Sequence, residues 1–121
     1  MPTASGHTTA IRASRVIGTA VKDTAGQTLG KIEDVVLDKT DNAVMFAVVG
    51  FGGVLGMGEK YHPLPWAALN YEEDQDAYVV PYTIEQLKAG PADSISELTK
   101  KDGAAIRDVA YDYYKVEPYW H

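Results

Sequence analysis

At 121 residues the chain has room for one domain with a modest core and not for two independent ones. It contains no cysteine, which removes disulfides, thiolate metal sites and cysteine nucleophiles. A formal charge of −6 and an isoelectric point near 4.9 argue against phosphate-backbone binding, because nucleic-acid-binding domains are usually basic. Hydrophobic residues at 45% and charged residues at 23% are ordinary for a soluble globular protein. No apolar run approaches the ~18 residues of a membrane span. The stretch Met1 to Ala10 is small and polar, without the features of a secretory signal, so the expected compartment is the cytoplasm.

In chain order, residues 1–12 read as a flexible arm, too poor in apolar side chains to offset ordering entropy. Val16 to Lys22 is the first predicted strand, and Asp23-Thr24-Ala25-Gly26 the turn after it. Gln27 to Asp38 is the second strand. Its run Val35-Val36-Leu37 breaks alternation, which a bulge near Glu33-Asp34 would re-phase. Lys39-Thr40-Asp41-Asn42 turns into a third strand, Ala43 to Gly50, apolar on both faces. Val44, Phe46 and Val48 alternate with Met45, Ala47 and Val49. Such a strand belongs mid-sheet, or in a barrel wall covered by another element.

A glycine-rich stretch follows, Gly50 to Gly58. After it Lys60 to Leu64 looks extended, and Pro63 and Pro65 place that strand at an edge. Trp66 to Leu69 is a short turn with Trp66 anchored on the barrel. Tyr71 to Asp76 is an acidic hairpin loop, and Ala77 to Tyr82 the last strand. Thr83 and Gln86 form a capping box that opens a short helix ended by Gly90-Pro91. Ile106, Val109, Ala110 and Tyr113 fall at i, i+3, i+4 and i+7, an amphipathic helix stopped by Pro118.

These pieces resemble the PRC-barrel domain family, the small β-barrel shared by the cytoplasmic part of the photosynthetic reaction centre H subunit and the C-terminal domain of the ribosome maturation factor. The matching residues are Gly18-x-x-Val21-x-Asp23 and Gly26-x-x-Leu29-Gly30-Lys31-Ile32-Glu33-Asp34, then Phe51-Gly52-Gly53-x-Leu55-Gly56-x-Gly58-Glu59-Lys60-Tyr61 and Pro65-Trp66-x-x-Leu69. The C-terminal Tyr113-Tyr114 and Pro118-Tyr119-Trp120 resemble stand-alone bacterial members. The resemblance implies a mainly antiparallel barrel of about six strands with a short helix and a C-terminal amphipathic helix. It implies no catalytic residue. The expected organisation is an arm over 1–12, the barrel over 13–90, and a helical extension over 91–121 that packs on the barrel or on a partner.

Several stretches invite a chemical reading. Gly50, Gly52, Gly53, Gly56 and Gly58 read as a structural loop at a barrel corner. The loop is no Walker motif, because Glu59 stands where the phosphate lysine would be, and Pro63 and Pro65 forbid the helix that should follow. His7, His62 and His121 lack the spacing of a metal site, and His62 reads as a partly exposed strand residue. The acids Glu72, Glu73, Asp74 and Asp76 lack the order of a calcium loop, and Glu33 and Asp34 point to opposite faces of a regular strand. No catalytic residue, cofactor or metal is therefore expected.

Tyr113, Tyr114, Tyr119 and Trp120 remain. They either pack back on the double-apolar third strand or line a partner surface. The expected function is a non-catalytic interaction, assembly or regulatory module that self-associates as a homodimer or larger oligomer. A further protein partner is unidentified, and peripheral association with a membrane complex fits the H-subunit resemblance. The alternative is a small-ligand or enzymatic role in a pocket beside the glycine loop.

Overall fold

Two aspartates at chain reversals set the frame of the sheet. Asp23 Oδ1 accepts from the backbone N–H of Ala25 and Gln27, both at 2.9 Å, and Gly26 adopts φ 87°. This turn joins β1 (Ala20–Lys22) to β2 (Thr28–Asp38). At the other end of β2, Asp38 Oδ1 accepts from Thr40 N at 2.9 Å and Asp41 N at 3.1 Å, and Asn42 takes φ 54° on the way into β3 (Ala43–Phe51). Both reversals use the short aspartate side chain as a substitute acceptor for backbone donors. The computed structural model describes residues 10–51, 61–99 and 103–120.

β2 and β3 pair antiparallel with two irregularities. Ile32 faces Val49 and Asp34 faces Val48, so Glu33 is the extra residue on β2, at the place where alternation predicts a bulge. Val36 faces Phe46 and Leu37 faces Val44, so Met45 is the extra residue on β3. That second bulge corrects the simple alternation. Met45 packs with Phe46 and Val48, whereas Ala47 and Val49 face the main cluster with Val21, Ile32, Leu64 and Val80. Both faces of β3 are nonetheless buried, one against the main cluster and one under Leu98 and Ile106 of the C-terminal region.

Among the described residues six strands form one mixed sheet in the order β4-β3-β2-β1-β6-β5, antiparallel throughout except for β1 beside β6. The outer strands are β4 (His62–Pro65) and β5 (Asn70–Glu72). In a flat sheet they would lie about 24 Å apart, five spacings of ~4.8 Å. Pro65 and Asn70 are joined by a chain that can span at most about 18 Å, and by less here because Trp66–Ala68 is a 3-10 turn. The sheet must therefore curl. Following the pairings round, β4 and β5 run in the same direction, so the chain passes from one edge to the other as a single bent strand. Among the described residues no ladder joins them. Pro63 and Pro65 do lie at an edge, and Tyr61 and Asp93 exchange backbone hydrogen bonds beside it at 2.8 and 3.0 Å.

Several boundaries differ from the sequence expectation. The first strand, β1, begins at Ala20 rather than at Val16, because Val16 closes a helical turn, α1 (Ala13–Val16), and Gly18 takes φ 94° between the two. The last strand, β6, is only Ala77–Val79, since Pro81 offers no N–H to a ladder. Tyr71 and Glu72, expected in a loop, belong to β5, where Tyr71 pairs with Tyr78 across the strands.

The capping box forms. Gln86 N donates to Thr83 Oγ1 at 3.1 Å and Thr83 N to Gln86 Oε1 at 2.9 Å, opening α2 (Ile84–Ala89). A short α3 (Ile95–Leu98) precedes α4 (Ala104–Tyr114). The buried face of α4 matches the predicted one only in part: Ala110 is buried and Ile106 packs against the Met45–Phe46–Val48 cluster as expected. Ala110, Tyr111 and Tyr114 are buried, while Val109 is 53% and Tyr113 39% exposed. Apolar groups occupy most of the circumference, and the face that packs is the one whose hydroxyl at Tyr111 reaches a backbone acceptor. No helix among the described residues is long and apolar enough to cross a membrane.

Candidate interaction site

Tyr111, Tyr119 and Trp120 converge where α4 meets the β2–β3 turn. Arg107 and Tyr111 lie one helical turn apart on the face that looks toward that turn. Tyr111 Oη donates to Met45 O at 2.8 Å. Met45 is the bulged residue, paired to neither β2 nor β4, so the phenol satisfies a carbonyl that the ladders leave out. Burial pushes the Tyr111 phenol up to about 12.

Beyond Tyr111 the chain turns back on itself. Lys115 takes the left-handed conformation, φ 57° and ψ 45°. Its N–H bonds Asp112 O at 3.3 Å, and Val116 N bonds Tyr111 O at 3.1 Å. This is a Schellman reversal with lysine where glycine is usual. The tail then runs back to the β2–β3 turn. Tyr119 Oη donates to Asp38 Oδ2 at 2.6 Å, and Arg107 Nη1 lies 3.7 Å from the same oxygen. Arg107 Cζ sits 3.7 Å over the Trp120 ring, while Tyr111 meets that ring edge-on at 4.7 Å. The Tyr119 hydroxyl, and after it the Asp41 amide, hold the Asp38 carboxyl below its ordinary 3.8. Burial and then the hydrogen bond to Asp38 raise the Tyr119 phenol. One carboxylate thus shapes a turn with one oxygen and latches the tail with the other.

The four residues singled out from sequence take different places. Tyr119 and Trp120 are half-buried in this clasp. Tyr114 is buried in the main cluster, and its hydroxyl has no hydrogen-bond partner among the described residues. Tyr113 is exposed on the opposite side, with its hydroxyl donating to Gln86 O at 2.7 Å. The tail and α4 frame an open groove lined in part by Asp112, Lys115, Glu117 and Pro118. Asp38, Arg107 and Tyr111 escaped the sequence reading. The i, i+4 spacing of Arg107 and Tyr111 was legible, but nothing local links either to Asp38.

The other expected features are distributed. Gly50 lies in β3 against the Glu33 carboxylate, whereas Gly52, Gly53, Gly56 and Gly58 fall outside the described residues, as do His7 and His121. His62 is buried rather than partly exposed, its ring 5.0 Å from Phe51, because the inward curl of β4 encloses it. Trp66 packs on the main cluster and lies 5.5 Å from Tyr78. In the acidic hairpin Tyr71 donates to Asp76, and that bond is the main cause pushing the Tyr71 phenol up to about 12. Asp34 Oδ1 accepts from Val35 N at 2.8 Å and Glu33 lies against Gly50, so these two acids do not act as a pair. Among the described residues no group of three or more His, Asp or Glu could hold a metal ion.

No curated protein matches the chain. The family model of the PRC-barrel domain matches residues 8–87, which takes in the whole curled sheet and most of α2. With two-thirds of its length matched, and with Gly30, the Asp23 turn and the Trp66 corner each in the structural place the motifs imply, the chain belongs to the PRC-barrel family.

Proposed function

We propose that this chain is a non-catalytic PRC-barrel module that works by binding protein, and that its first partner is a second copy of itself. The observation that carries this reading is the division of α4. One face is fastened to the barrel through Tyr111 and Tyr114, while Val109 and Tyr113, one turn apart, leave an apolar strip on the outer face. A helix so fixed presents that strip without further ordering cost, which favours association. The sheet edges suit a partner less well. β4 lacks N–H donors at Pro63 and Pro65, and β5 is three residues long beside an acidic hairpin.

The test is mass by light scattering across a micromolar concentration series. The expected result is a dimer, with Val109→Asp shifting it to monomer while circular dichroism stays unchanged. A wild-type protein that remains monomeric at several hundred micromolar overturns the reading.

A further inference from the structure

We infer that the C-terminal tail, Val116 to Trp120, is exchanged between two copies, each latching onto the other's Asp38, Arg107 and Tyr111. This rests on the self-association proposed above and specifies its mechanism. The receptor fits this tail, since the chain's own tail occupies it. Tyr119 bonds Asp38 at 2.6 Å and Trp120 stacks on Arg107 at 3.7 Å. Every group of that receptor precedes the reversal at Lys115, and every latching group follows it. The same contacts therefore form whether the tail comes from its own body or from a neighbour's.

The hinge tips the balance. Lys115 is a non-glycine residue in the left-handed region, inside a tight reversal that leaves no slack. An L side chain in that region crowds the following carbonyl oxygen and strains the backbone. Closing the tail on its own body keeps that strain, and passing it to a neighbour releases it at both hinges. Short strained hinges of this kind invite exchange, and exchange of an identical element is a low-cost route to a dimer. The outer face of α4, with Val109 and Tyr113, is exposed whether the tail is closed or exchanged, and meets its counterpart in either case.

Complementation separates exchange from ordinary docking. Arg107→Ala makes a chain that donates a competent tail but receives poorly, and Trp120→Ala makes one that receives but donates poorly. Each is checked for folding by circular dichroism, and Tyr119→Phe replaces the donor-defective variant if it fails that check. Light scattering is recorded on each variant alone and on an equimolar mixture, annealed by warming.

Exchange predicts that each variant alone dimerises about as wild type does, because the closed monomer and the exchanged dimer lose the same contact. The mixture dimerises at least tenfold more tightly than either variant alone, because only the mixed dimer holds an intact Arg107–Trp120 stack. Lys115→Gly should weaken the wild-type dimer about 25-fold, about fivefold from each relaxed hinge. If the mixture dimerises no more tightly than the variants alone, exchange is wrong and self-association through another surface stands. A monomeric wild type overturns both.

Discussion

Tyr111 and Tyr114 lie on one face of α4, 4% and 5% exposed, and the same substitution at each should change stability in opposite directions. Tyr111→Phe removes the donor to the bulged Met45 carbonyl and leaves that buried acceptor unmatched, at a cost of about 2 kcal/mol. Tyr114→Phe removes a buried hydroxyl that has no partner among the described residues. A β-carbon at neighbouring Gly90 would sit 2.7 Å from that oxygen, so the site is crowded as well as unsatisfied. Losing the oxygen should stabilise the protein by about 1 kcal/mol. The ring is kept in both variants, so transfer and cavity contributions cancel in the comparison. For a domain of this size 1 kcal/mol moves the melting midpoint by about 4 °C. Tyr111→Phe should therefore melt about 8 °C below wild type and Tyr114→Phe about 4 °C above it. Thermal melts, with urea titrations showing an unchanged m-value, measure both. If Tyr114→Phe loses stability as Tyr111→Phe does, the assignment of an unsatisfied hydroxyl is wrong.

Gly30→Ala would place its β-carbon 1.9 Å from Gly50 O, so β2 and β3 must part locally, and urea unfolding should show a loss of roughly 2–3 kcal/mol. Thr83→Ala removes the capping box of α2 and should cost about 1 kcal/mol by the same assay. Asp38 has a depressed folded pKa, so its contribution is present above its ordinary 3.8 and is lost as pH falls through the folded value. The stability gap between wild type and Asp38→Ala should therefore be constant from neutral pH down to about 5 and close below about 4. A gap that instead widens on acidification would show that the carboxylate is not stabilised by the Tyr119 hydroxyl.

Local chemistry was readable from the chain by itself. The Asp23 turn, the Thr83–Gln86 box and the bulge at Glu33 each depend on residues a few positions apart, where one side chain decides where a backbone donor goes. The double-apolar β3 announced burial on both sides for the same reason, and the ordered glycine and tryptophan motifs pointed to the family. The choices made by contacts between distant residues were not readable. Helix α4 has apolar groups around much of its surface, and its packing face was settled by the Met45 carbonyl, 66 residues away, which a second bulge leaves unpaired. Likewise Tyr119 finds Asp38 across 81 residues. No sequence period encodes that meeting. It exists because the curl of the sheet brings the end of β2 beneath the returning tail, where one carboxylate can serve both a turn and a clasp.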